Sequence, residues 1–207
     1  MNIFQVISGQ LIDDEIVQII KDKLLLKYDE EFEVYKLGRR AGTALNDSVT
    51  AYCRSLKNKD TLFVSVLNGD KVHFSDDYCL RLICFELQKE LINKFKEEKI
   101  TVYPRINIIG CHKYDKKTKL ENFIKKEPNV NFLVDLYVKD KVLLKDVKKI
   151  IEEVKEKYKS INLRGNVILL DSNSYEEYIN IFKEMSDSDN YYVESSSIID
   201  KYRIERI

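Results

Sequence analysis

Residues 61–111, TLFVSVLNGDKVHFSDDYCLRLICFELQKELINKFKEEKITVYPRINIIGC, decide the fold class. From Leu62 to Leu67 the chain is almost continuously apolar and rich in strand formers, as expected of a strand covered on both faces. Asn68, Gly69 and Asp70 supply turn chemistry. Val72, His73 and Phe74 then either return as a hairpin or lead into the next element. Ser75, Asp76 and Asp77 offer side-chain oxygens to the unpaired N–H groups of a helix over residues 77–99. The stripe of that helix is Leu80, Ile83, Cys84, Leu87, Leu91 and Phe95, and Leu82, Phe85 and Ile92 widen it, so more than one side is covered. Pro104 precedes a strand over 105–109 and marks a strand start or an edge.

Outward toward the N-terminus, residues 2–8 alternate like a strand, Gly9 and Gln10 break it, and a helix over 13–27 buries Ile16, Ile19, Ile20 and Leu24. Phe32, Val34 and Tyr35 mark a second strand, ended by Gly38. In 39–57, Ala41, Leu45, Val49, Tyr52 and Leu56 fall at helical spacing, which predicts a helix. Gly42, Thr43, Asn46, Asp47 and Thr50 are poor helix formers, and the competing reading is a strand over 48–55.

Toward the C-terminus, Thr118 with Glu121 has capping-box spacing. Strict alternation over 130–138 predicts a half-exposed edge strand. Residues 141–158 read as an amphipathic helix, 166–170 as a buried strand, and Ser174 with Glu177 as the cap of a further helix. A short strand at 191–193 and a loosely held end follow. Strands and helices alternate almost throughout. That predicts an α/β protein with a mostly parallel or mixed central sheet covered by helices, any parallel pair being joined by a right-handed crossover. An N-terminal lobe over 1–112 and a C-terminal lobe over 113–207 would form one continuous globular unit.

Composition narrows the function classes. Lys+Arg and Asp+Glu both number 35 in 207 residues, and this balance disfavours a dedicated nucleic-acid binder. With 44% hydrophobic residues the chain can bury a core, and two prolines and six glycines leave little room for long linkers. No apolar run approaches the ~20 residues of a membrane span, and no basic leader with an apolar core opens the sequence. Cys53, Cys79, Cys84 and Cys111 form no C-x-x-C pair and sit among apolar neighbours, which predicts buried free thiols in a reducing cytoplasm. A zinc site from these with His73 and His112 lacks the usual ligand spacing, and no metal or cofactor is expected.

In an open α/β sheet ligands gather beyond strand C-terminal ends, which makes those ends the first candidates. Gly38-Arg39-Arg40-Ala41-Gly42-Thr43 places Arg39, Arg40 and Gly42 where a phosphate could be clamped, although no phosphate-loop motif is present. A plain turn with solvated arginines is the competing reading. Asp171, after the buried strand, stands where acidic residues hold a ribose or a metal, or else simply starts a helix. Cys111 beside His112 lacks a third orienting group for nucleophilic catalysis. His73 reads as a satisfied structural histidine, and Lys113, Lys116, Lys117 and Lys119 as a solvated basic loop.

The stretch from Glu33 to Leu82 resembles the STAS-like regulatory domains of bacteria. The residues that carry the likeness are Gly38-Arg39-Arg40-Ala41-Gly42, Leu62 to Leu67, and Val72-His73-Phe74-Ser75-Asp76-Asp77. The resemblance implies a short α/β domain that binds a partner protein, and a hydroxyl phosphorylated by a partner kinase, with Ser75 at the matching position. It covers about a quarter of the chain. The function expected is therefore that of a cytoplasmic, non-catalytic regulatory protein whose partner is another protein, such as a kinase or ATP-binding protein. The alternative is an enzyme or sensor that binds a nucleotide or phosphorylated small molecule between Arg39/Arg40, Gly110–His112 and Asp171.

Overall fold

The stretch poised between helix and strand, 39–57, folds as strand. In the computed structural model β1 (Phe32–Thr43) pairs antiparallel with β2 (Asn46–Ser55), from Phe32 opposite Ser55 to Thr43 opposite Asn46. The period of two wins because burial alternates: Val49, Ala51, Cys53 and Ser55 are buried, while Thr50, Tyr52 and Arg54 between them are half-buried. The helix expected there is thus corrected, and the competing strand reading stands.

The structure describes residues 9–43, 46–57, 61–108, 114–140, 142–159, 161–184 and 198–203. The strand read at 2–8, the pair Cys111-His112 with Gly110 and Lys113, and the strand read at 191–193 lie outside these residues. The chain divides into two units, Met1–Tyr78 and Cys79–Ile207.

In the first unit α1 (Gly9–Tyr28) precedes a four-stranded sheet in the order β1-β2-β3-β4, antiparallel throughout. Gly9 and Gln10, expected as a break, open the helix. β3 (Leu62–Asn68) is the predicted apolar strand, but its burial alternates in place of the cover expected on both faces, and the turn after it closes a hairpin with β4 (Phe74–Asp76). Ile16, Ile20, Leu24 and Tyr28 of α1 are buried. Tyr28 stacks edge-on against Phe32, and Phe32 against Phe63, so the buried side of the sheet is fixed by aromatic contacts.

In the second unit, α2 (Tyr78–Glu97) continues from the last residue of the first. The sheet runs β5-β6-β7-β8, with β5 (Val102–Ile108) antiparallel to β6 (Asn131–Lys139), β6 parallel to β7 (Asn162–Leu170) and β7 antiparallel to β8 (Ile198–Arg203). α3 (Leu120–Lys126) lies between β5 and β6 in sequence, α4 (Leu144–Lys157) joins the parallel pair, and α5 (Ser172–Glu184) follows β7. One core combines Leu87 and Leu91 of α2, Phe123 of α3 and Ile150 and Val154 of α4 with Ile106, Phe132, Leu136 and Val167. Tyr175, Tyr178 and Ile179 of α5 pack instead with Tyr137, Ile168 and Leu170, which alternate onto the other face of the sheet.

Two expectations need correction. The fold is α/β, but among the described residues it has two sheets in place of one central sheet, and only β6 and β7 pair in parallel. β6 is an inner strand between β5 and β7. Its polar positions mislead because their partners come from the next strand: Asn162 Nδ2 donates to Asn131 Oδ1 at 2.6 Å and Asn166 Nδ2 to Asp135 Oδ1 at 2.7 Å. Pro104 does sit in an edge strand, where its missing N–H leaves no gap in the ladder. The C-terminal stretch, expected to be polar with one short strand at 191–193, contains β8. Among the described residues no helix is long and apolar enough to cross a membrane.

Candidate functional site

Ser75 is the middle residue of β4, opposite Val66 of β3, and is exposed. It does not cap α2, which begins three residues later. Capping falls to Asp76, whose Oδ1 accepts from the Tyr78 N–H at 3.1 Å. The Asp76 side chain is fully buried; it pairs with Lys27 at 2.7 Å and accepts from the Tyr28 hydroxyl at 2.6 Å. Asp77 accepts from the Val64 N–H at 2.6 Å. Both carboxylates beside Ser75 thus have structural partners.

Directly opposite residues share a face, so the register places Ser75 in a row with Val66 and Thr50 on the side of the sheet away from Phe32 and Phe63. The neighbouring rows of this outer face hold Val64, Tyr52 and Lys36, then Leu62, Arg54 and Glu33. β1 is irregular between Val34 and Lys36, which brings Tyr35 to the same side. The Tyr35 and Tyr52 rings are 6.4 Å apart, the Arg54 guanidinium lies 5.2 Å from the Tyr35 ring and the Lys36 ammonium 5.5 Å from the Tyr52 ring. Gly38 sits flush against this cluster: a Cβ there would meet Thr50 and Tyr52 at 3.3 Å. Neither tyrosine was singled out for binding in the sequence.

Arg39, Arg40 and Gly42 belong to β1, with Arg40 opposite Val49 and Gly42 opposite Asp47. The phosphate-clamping turn at a helix start is therefore corrected: the segment is extended and laddered to β2, and no helix follows it. Asp171 is exposed in the second unit and behaves as a helix-start residue. It accepts from the backbone N–H groups of Asn173 and Ser174, both at 3.0 Å, and from the Ser174 hydroxyl at 2.8 Å. The Ser174 bonds hold its carboxyl below the usual carboxylate range. The two capping boxes do not form as read. α5 begins at Ser172, with Asp171 before it, and at α3 the carboxylate of Glu86 takes the Leu120 N–H at 2.8 Å.

His73 is exposed on the β3–β4 turn, where its Nδ1 meets the Asp70 carboxylate, so it is partnered but not in the core. That bond and two backbone bonds hold the Asp70 carboxyl down at about 2. Cys53, Cys79 and Cys84 are buried and in no disulfide, and burial pushes the Cys53 thiol up to about 11. Among the described residues no group of three or more His, Cys, Asp or Glu side chains is arranged to hold a metal ion.

A groove of about 460 Å³ lies along α3 and the turn before it, lined by Asp115, Lys117, Thr118, Asn122, Lys125 and Lys126. Leu120, Phe123 and Ile124 anchor the helix in the core. Asn122, Lys125 and Lys126, spaced three and four apart, occupy one outward side.

Comparison with known proteins adds a fold likeness. No family model matches the chain, and no curated protein matches it. It is similar to a solved structure of a DUF5037 family protein from Ruminococcus gnavus ATCC 29149, at 17% identity and a TM-score of 0.67, over 91% of this chain and 90% of the other. At that identity the likeness speaks for the fold alone. No STAS-like domain is indicated, and the first sheet explains why: the helix that the resemblance needs after the Gly/Arg segment is strand β2, and all its pairs are antiparallel.

Proposed function

We propose that this protein is a non-catalytic regulatory protein that works by binding another protein, and that the outer face of the first sheet is its recognition surface. The observation that carries this reading is the cluster of Tyr35, Tyr52, Lys36 and Arg54 beside Leu62, Val64 and Val66. Tyrosine and arginine dominate the energetic centres of protein interfaces, because each joins a large rigid apolar surface to a polar tip. The partner surface that complements this cluster is apolar with acidic groups facing Lys36 and Arg54.

Ser75 is then the regulatory position. A phosphate there carries nearly two negative charges and stands opposite Val66, one row from Val64. It repels an acidic partner and resists desolvation, so phosphorylation releases the partner. Repulsion from Asp76 and Asp77 is not needed, since Asp76 is already neutralised by Lys27.

Binding to proteins encoded beside this one, measured by co-purification and then by titration, tests the reading. Binding should weaken about tenfold or more in Tyr52→Ala/Arg54→Glu and in Ser75→Asp, and persist in Lys155→Gln. A partner held equally well by all variants, or no partner at all, would remove the proposal.

A further inference from the structure

We propose that the groove along α3 binds a small molecule carrying two or more phosphate groups. The site is independent of the sheet face described above. Several surface lysines are held by carboxylates: Lys27 by Asp76, Lys119 by Glu86, Lys149 by Glu98 and Lys157 by Glu90. Lys117, Lys125 and Lys126, like Lys145 and Lys148, form no ion pair among the described residues, but these three stand together. All three line one groove. The one carboxylate among the described lining residues, Asp115, accepts from the Lys117 N–H at 2.9 Å and so is turned toward the backbone of its own turn. Three ammonium groups against one carboxylate give the groove a positive surplus that an anion would offset.

The chemistry of the lining selects the anion. Lysine ammonium groups act as point charges and meet phosphate oxygens from several directions, without the planar fork that arginine offers a carboxylate. Thr118 and Asn122 add neutral hydrogen-bonding groups. The volume of about 460 Å³ suits a small molecule. Among the described residues no aromatic side chain lines the groove, so they offer no stacking platform of the kind on which single-stranded nucleic acids depend. Recognition therefore rests on the phosphates, and a nucleoside di- or triphosphate would be held by its phosphate tail.

Isothermal titration of the full chain with tripolyphosphate, orthophosphate and a short single-stranded oligonucleotide tests this. Tripolyphosphate should bind, and more tightly than orthophosphate. Lys125→Gln/Lys126→Gln should weaken it about tenfold or more, whereas Lys149→Gln/Lys155→Gln, an equal change of charge elsewhere, should alter it less than about twofold. Absence of binding at millimolar tripolyphosphate, an equal loss in both double variants, or tighter binding of the oligonucleotide would overturn the proposal. Tyr52→Ala/Arg54→Glu should bind tripolyphosphate normally, so loss of partner binding and loss of phosphate binding are read separately.

Discussion

Replacing Asp76 with alanine should destabilise the protein by about 3 kcal/mol, because this carboxylate ties together three segments of the first unit. Its side chain is fully buried, and three donors converge on it: Lys27 at 2.7 Å, the Tyr28 hydroxyl at 2.6 Å and the Tyr78 N–H at 3.1 Å. Tyr28 and Tyr78 are 4% and 3% exposed, so in the variant their donors lose a charged acceptor with little access to water. A hydrogen bond to a charged group contributes about 1.5–3 kcal/mol, and two such losses set the figure. The Lys27 side chain is 47% exposed and rehydrates, so its ion pair adds little. For a chain of this length the loss corresponds to a fall in Tm of about 6–12 °C. Urea denaturation followed by circular dichroism gives the number. Tyr28→Phe closes a double-mutant cycle: once Asp76 is alanine, removing the hydroxyl should cost less than it does in the parent. A loss under about 1 kcal/mol for Asp76→Ala, or strictly additive losses in the cycle, would refute the assignment of Asp76 as the anchor.

Two further outcomes follow from particular backbone and side-chain geometry. Gly165→Ala should destabilise the second unit by about 3 kcal/mol or more, because Gly165 has φ +145° and a Cβ there would stand 2.1 Å from the backbone oxygen of Val134 on the paired strand; a melting temperature within about 2 °C of the parent would show that reasoning wrong. The Asp70 carboxyl should titrate near 2 by carbon NMR, held down first by its hydrogen bond to His73, and His73→Ala should raise the midpoint. The sign follows from the depressed folded value: whatever stability this group adds is complete above the unfolded pKa of about 3.9 and disappears as pH falls toward 2. Identical midpoints in parent and variant would remove His73 as the cause.

Much of the second unit was legible because its signals are local and redundant. Val147, Ile150, Ile151 and Val154 form one stripe of α4, and these are the residues the helix buries. The helix over 77–99 and the strand over 62–67 were equally plain, and both are present as α2 and β3. The failures share one cause, which is that the deciding partner lies far away in sequence. Alternation in β6 resembled an edge strand because Asn131 and Asp135 look solvent-facing until Asn162 and Asn166 arrive from β7 to bond them. In 46–55 two periods coexist in the same residues, and pairing with β1 and β3 on both sides decides for strand over local spacing.

The candidate surface was hidden for a related reason. Glycine and arginine drew attention to 38–42, since those residue types carry a recognisable phosphate chemistry by themselves. Tyr35, Lys36, Tyr52 and Arg54 carry none until they share a face, and whether they share one depends on register. Val34 lies opposite buried Cys53. In a regular strand Tyr35 would take the outer side and Lys36 the inner side, opposite Ala51, where an ammonium group would be buried against apolar neighbours. The irregularity between Val34 and Lys36 moves Lys36 opposite Tyr52 instead and leaves Tyr35 beside it. One extra residue in β1 therefore relieves a buried charge and assembles the aromatic and cationic cluster in the same step. No periodicity of β1 taken alone contains that information, because the bulge is defined only against β2.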